Sequence, residues 1–249
     1  MENRLLRFFL LAVGIAAAAD NNLQIPAITV PLTIEGQRVA ITTGGSIAKL
    51  PGAEDQFRID LRVDLSDLQR NLTAILQPQI DRSDACGERV QLHEAVLTPL
   101  EPSGSLTVKL HYERWACAKA LGKKIEKRLV GGNGMVPVKL TPALQPAADG
   151  GPAMVRLAAE VGAIEADGSL GDLLHSGSFG DGLREKITRS MQSAIDKSTD
   201  WNASIPPALQ SIVKLYKVEF QDGGSGRLMM HAEGEVRVPA DQLRAIITK

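Results

Sequence analysis

From residue 57 the chain alternates. Phe57, Ile59, Leu61, Val63 and Leu65 fall on one side of an extended backbone, and Arg58, Asp60, Arg62 and Asp64 on the other. Successive strand side chains point to opposite faces, so a period of two predicts a strand with one dry and one wet face, as antiparallel sheets have. The charges on the wet face also alternate in sign, which suits cross-strand pairing. At Ser66 the period changes. Leu68, Leu72, Ile75 and Leu76 recur at helical spacing, and Ser66 and Gln69 stand three apart, as in a capping box where each side chain satisfies a free backbone amide. Pro78 lacks an amide hydrogen and predicts the end of this helix after roughly three turns.

Strand patterns follow in 89–97 and 105–115, separated by Glu-Pro-Ser-Gly, and in 123–130 and 135–144, separated by Gly-Gly-Asn-Gly. Glycine and asparagine tolerate positive φ, so both separators predict hairpin turns. Residues 153–166 form a further long strand candidate. A second helical stripe runs through 181–198, where Leu183, Ile187, Met191, Ala194 and Ile195 share a face. The strand patterns 211–220 and 226–238 flank the turn sequence 221–226, and Pro239 is suited to the first turn of a short final helix. Runs of antiparallel strands with two separated helices predict an α+β fold.

The first nineteen residues change this picture because they stand outside it. Arg4 and Arg7 precede an apolar run, and Ala17, Ala18 and Ala19 precede Asp20. A positive start, a short apolar core and small residues are the layout of a secretory signal peptide, and the run falls short of the roughly 20 apolar residues a bilayer span needs. The expected organisation is a signal peptide over 1–19 and one α+β domain over 20–249, divisible into sub-modules 20–166 and 167–249. The expected location is the periplasm or the medium. No later segment reads as transmembrane. The whole chain has 28 basic and 29 acidic residues, a balance that favours neither nucleic acid nor an anionic surface.

Cys86 and Cys117 are the only cysteines. In an exported chain a single pair reads as one disulfide. Aligning 89–97 with 105–115 by their apolar residues pairs Val96 with Leu106, Leu92 with Leu110 and Val90 with Tyr112. That register sets Cys86 one residue away from Cys117, and a β-bulge within 113–115 would bring the two into opposition. The competing reading is a reactive thiol beside His111 or Arg114. Adjacent strand residues point to opposite faces, however, so His111, Tyr112, Glu113 and Arg114 cannot all converge.

Catalytic and metal patterns are not evident. His93, His111, His175 and His231 show no clustered ligand spacing, although His93 and His111 can be neighbours in the hairpin. Residues 173–182, around His175, Ser176 and Ser178, read as a polar loop. The glycine-rich stretches 131–134 and 223–227 do not lead from a strand into a helix as a phosphate cradle must, and both read as hairpin turns. The basic run 123–128 lacks the aromatic interleaving of single-strand nucleic-acid binders and reads as a solvated strand face. No catalytic residue, metal or cofactor is expected, and no nucleic-acid partner.

The segments GLREKITRSMQSAI, SIPPALQSIVKLYKVEF and GRLMMHAEGEVRV together resemble the tubular lipid-binding (TULIP-like) superfamily. The resemblance covers the carboxy-terminal third and extends loosely over 57–165. It implies a strongly curved antiparallel sheet wrapped around two main helices, with aliphatic side chains lining a tunnel for a lipid or other apolar small molecule, and no cofactor. On this reading Leu61 and Val63 of the sheet and Leu183, Ile187, Met191 and Ile195 of the second helix contact the ligand. The alternative is a non-catalytic structural or interaction module of the cell envelope with a protein partner.

Overall fold

The computed structural model describes residues 22–53, 55–120, 123–145, 154–177 and 213–239, with 181, 182, 185, 188 and 189 besides. The expected signal peptide, the expected ligand-lining positions Leu183, Ile187, Met191 and Ile195, and the expected carboxy-terminal helix after Pro239 lie outside the described residues.

The described chain forms β1 (Asn22–Ile34), β2 (Gln37–Lys49), β3 (Gln56–Asp64), α1 (Ser66–Ile80), β4 (Arg82–Ser83), β5 (Glu88–Leu100) and β6 (Ser103–Ala120). It continues through β7 (Lys123–Gln145), β8 (Met154–Val161), β9 (Glu165–Ala166), α2 (Gly168–Leu174), β10 (Val213–Asp222) and β11 (Leu228–Arg237). These strands build two antiparallel sheets, one of order β1-β2-β3-β11-β10 and one of order β4-β5-β6-β7-β8 with β9 paired to β7. The fold is α+β, and the first sheet draws its strands from both ends of the chain.

β3 follows its alternation: Phe57, Ile59 and Leu65 are buried, Leu61 and Val63 half-buried, Arg58 and Arg62 exposed. β1 and β2, for which the apolar pattern set no expectation, form a hairpin through Glu35 and Gly36, both at positive φ. Such a two-residue turn matches the twist of the strands it joins. β10 and β11 form the expected hairpin, and β11 pairs with β3 from Met229–Asp64 to Arg237–Gln56.

α1 lies against β5, β2 and β11, and it buries Leu68, Leu72, Ile75, Leu76 and Ile80. Together with the inner faces of β5, β6 and β7, these residues form the main core. Two local expectations fail here. The helix runs through Pro78 to Ile80: the proline ring sits on the exposed side, Ile80 is buried, and the Asp81 amide still donates to the Gln77 carbonyl. The capping box does not form either, since the N-cap is Leu65 and the Ser66 amide donates to Asp64 Oδ1. Gln69 is drawn away into tertiary bonds. Its Nε2 donates to the carbonyls of Leu97 and Gly226, and its Oε1 accepts from the Leu228 amide. One side chain thus ties the helix to both sheets.

The second sheet corrects the strand boundaries. Gly-Gly-Asn-Gly is not a turn: β7 is one strand through 131–134, with Gly132 opposite Tyr112 and Asn133 opposite His111. The reversal between β6 and β7 falls instead after Ala120, which pairs with Lys123. In the β5–β6 ladder, Leu92–Leu110 and Val90–Tyr112 pair as expected, but Val96 faces Thr107 and Leu97 faces Leu106. A bulge at His93 shifts the register, so Ala95 and Leu97 enter the core and Val96 is exposed. The long candidate 153–166 divides into β8 and β9. The supposed polar loop 173–182 begins inside α2, where Leu170 and Leu174 are buried in the main core.

A second, smaller cluster at the other end of the first sheet joins Ile47, Phe57, Ile59, Val213, Val236 and Val238.

Candidate functional site

The densest group of reactive side chains is the segment around β6, and the alternation of the strand divides it in two. On the inner face, Tyr112 is buried, and its hydroxyl donates to Glu88 Oε1, which also accepts from Arg114. Burial, reinforced by the Glu88 charge, pushes the Tyr112 phenol above its usual range. On the outer face stand His111, Glu113 and Trp115. The Trp115 indole donates to Glu113 Oε2 at 2.8 Å, Arg128 donates to Glu113 Oε1 at 2.9 Å, and His111 Nε2 lies 3.5 Å from the same oxygen. These donors, the indole foremost, lower the Glu113 carboxyl to about 2.

A carboxylate so acidic, with its oxygens occupied, is a poor proton acceptor near neutrality; it anchors the strand face. The expected separation of His111 and Glu113 from Tyr112 and Arg114 is what the fold shows.

The disulfide is formed: the Sγ atoms of Cys86 and Cys117 are 2.00 Å apart and the Cα atoms 5.4 Å. The route to it differs from the expected bulge. β6 stays in register with β5 through Glu88–Arg114, and the Trp115 amide still donates to the Gly87 carbonyl. The turn at 84–87 then leaves the ladder and swings Cys86 to Cys117. The irregularity at Arg114/Trp115 belongs to the β6–β7 ladder, where Leu129 is left without a partner. Arg89 stacks over Trp115 at 4.3 Å beside this staple.

His111 Nδ1 lies 2.9 Å from Asn133 Oδ1, which leads to a second polar network. The Asn133 amide donates to Asp167 Oδ1 at 2.6 Å and its side-chain nitrogen to Oδ2 at 3.0 Å, while the Asp167 amide donates to the Asn133 carbonyl. The Ser169 hydroxyl meets both the amide and the carbonyl of Gly131. The Asn133 amide holds the Asp167 carboxyl below its usual range. A Cβ on Gly132 would overlap the carbonyl oxygen of Asp167. The glycines of β7 therefore form a platform on which the start of α2 rests.

Two open clefts lie near this polar strip, and His111 borders the smaller of them. One, of about 400 Å³, is bordered by Asp81, Arg82, Gln91 and Glu113, and the other, of about 500 Å³, by His93, Lys109, Met135 and Glu165. The His93 and His111 rings are neighbours, 6.3 Å apart and edge to face. Among the described residues, the only three His, Cys, Asp or Glu groups close enough to share an ion are Cys86, Cys117 and Glu126, and the two sulfurs are already bonded to each other.

The outer face of the first sheet carries a further cluster. His231, 8% exposed, has Nε2 2.8 Å from Asp60 Oδ2 and Nδ1 3.2 Å from Gln221 Nε2. Lys217 donates to Glu219 and Glu233, and this pairing lowers the Glu219 carboxyl.

The inner face of the same sheet is aliphatic. Leu61 packs beside the smaller cluster and Val63 beside the main core, so the two expected lining residues stand where the apolar clusters meet. Leu23, Ile25, Ile41, Leu215 and Met230 are half-buried on those clusters. No signal in the alternation of 57–65 marked this junction, because it depends on how far α1 reaches across the sheet.

No known protein-family model matches the chain, and no characterised protein matches it in sequence. No described helix is long and apolar enough to cross a membrane.

Proposed function

We propose that this chain is an exported binding protein without catalytic activity, and that the aliphatic inner face of its five-stranded sheet carries a lipid or other apolar small molecule, as in TULIP-like proteins. The observation behind this reading is the half-buried apolar surface that continues past α1, from Val63 and Met230 through Leu61 to Leu215 and Ile25. The stripe of Leu183, Ile187, Met191 and Ile195 supplies the opposite wall in this reading. A methionine there suits varied guests, because an unbranched thioether repacks easily. The saturation of the His111–Glu113 and Asn133–Asp167 networks supports a binding role over a chemical one.

Native mass spectrometry of protein recovered from its exporting host, followed by solvent extraction, tests this reading. Leu61→Trp sharpens it. On a ligand surface the ring occupies guest space, so binding of a fluorescent fatty acid is lost while the melting temperature holds. In a filled core the ring costs about 1–3 kcal/mol. A wild-type protein that carries nothing and binds no probe, with a destabilised Leu61→Trp variant, overturns the carrier reading. The second reading, an interaction module of the cell envelope, is favoured by the projecting end of the β6–β7 hairpin.

A further inference from the structure

Beyond the Glu88–Arg114 pair, no third strand joins β6 or β7 among the described residues. The pairs Trp115–Arg128, Ala116–Lys127, Cys117–Glu126 and Ala118–Ile125 form a two-stranded ribbon that leaves the main core. Paired residues share a face, so Ala116, Ala118, Ile125 and Lys127 line one side together. Ile125 is 53% exposed and Leu129, at the register shift, 54%. Residues 114–130 hold six Lys and Arg against the single acid Glu126, giving +5 in a chain of net −1, so the remainder carries −6. The near-neutral total therefore hides a basic segment, although Arg114 and Arg128 within it are paired with Glu88 and Glu113.

We propose that this ribbon docks on the surface of an anionic lipid bilayer, with Ile125 and Leu129 entering the headgroup–acyl boundary and Lys127 and Lys119, one from each side of the ribbon, at the phosphates. Exposed aliphatics among cations are the composition of an interfacial binder, and each basic residue near an anionic surface favours partitioning by roughly fivefold. The shape agrees: a two-stranded ribbon can enter a deformable surface. Nucleic acid is disfavoured because the ribbon's one aromatic side chain, Trp115, is stacked under Arg89 and bonded to Glu113, leaving no platform for bases. The Cys86–Cys117 bond ties the ribbon at Cys117 to the turn at 84–87 before it meets the surface. This inference is independent of whether the inner face of the other sheet carries a guest.

The test is co-sedimentation of exported protein, its amino terminus read by mass spectrometry, with vesicles of phosphatidylcholine alone or with phosphatidylglycerol. Binding is expected only to the anionic vesicles and is expected to weaken in high salt. Lys119→Glu with Lys127→Glu should reduce it by roughly tenfold or more. Ile125→Ser with Leu129→Ser should reduce it by roughly tenfold while retaining the salt dependence. All four side chains are exposed, so the variants should keep the wild-type melting temperature and the intact disulfide, and that is checked alongside. Absence of sedimentation with anionic vesicles overturns the proposal, as does sedimentation unchanged in the charge-reversed variant. So does self-association of the wild type without vesicle binding, lost in the same variants, which would assign the ribbon to the acidic body of a second copy.

Discussion

In 223–226 the chain reads Gly-Gly-Ser-Gly and reverses; in 131–134 it reads Gly-Gly-Asn-Gly and runs straight. The first segment turns between β10 and β11 with Gly224, Ser225 and Gly226 all at positive φ, and a Cβ on Gly224 or Gly226 would meet nothing within 4 Å. The second has no positive φ at any position, yet a Cβ on Gly132 would strike the backbone of Asp167. One segment uses glycine for its dihedral freedom and the other for its missing side chain. The demands are opposite, so substitutions should separate them.

The largest effect is expected from Gly132→Ala. The added methyl would overlap the Asp167 carbonyl and press on Leu170 Cβ at 3.0 Å, both belonging to the docked start of α2. Displacing that backbone should cost about 3 kcal/mol in denaturant unfolding. Asp167→Ala should follow with a smaller loss, because the Asn133 amide and side chain lose a charged acceptor at an exposed site. Gly224→Ala should cost about 1 kcal/mol, from φ of +94° alone and without any clash. If Gly224→Ala proves costlier than Gly132→Ala, the assignment of the two roles is wrong.

Acid should loosen the platform in preference to the turn. Asp167, lowered by the Asn133 amide, and Glu113, lowered to about 2 by the Trp115 indole and Arg128, both have folded values below their ordinary ones. Groups shifted this way contribute stability that is complete above the unfolded value and disappears as pH falls through the folded one. The melting temperature should therefore hold down to about pH 4.5 and decline from there toward about 2. Hydrogen-exchange protection of the Asn133 amide should decline over the same acid range. The Gly223 amide is bonded to the neutral carbonyl of Arg227 and should keep its protection for longer. Glu113→Gln should flatten part of the decline.

These two segments also show where sequence reading succeeds. Alternation in 57–65 and the stripe of Leu68, Leu72, Ile75 and Leu76 were legible because a single buried face imposes its period along the chain. The Cys86–Cys117 bond was legible because two cysteines leave only one pairing. The role of Gly-Gly-Asn-Gly was hidden, since the residue that forbids a Cβ at Gly132 lies thirty-five positions later, at Asp167. Gln69 misled for the same reason: its partners are Leu97, Gly226 and Leu228 instead of its own helix start. At the candidate ligand surface, Leu61 and Val63 could be assigned to the dry face but not to the boundary between two clusters, which only the reach of α1 defines.

The placement of β11 beside β3 has a consequence in time. The sheet of β4 to β9 is built from one continuous stretch, 82–166, and can assemble as soon as that stretch is present. The other sheet cannot, because β3 waits for strands from the far end of the chain, and Asp64 meets Met229 only when β11 arrives. Until then β3 is a bare, alternating edge, open to pairing with another molecule. The late β10–β11 hairpin closes three gaps together: it covers β3, supplies Gly226 and Leu228 to Gln69 of α1, and bonds the Phe220 amide to Pro102 at the tip of the β5–β6 hairpin. It is the keystone of the arch, so a chain ending before residue 213 should aggregate through β3 instead of persisting as a smaller folded protein.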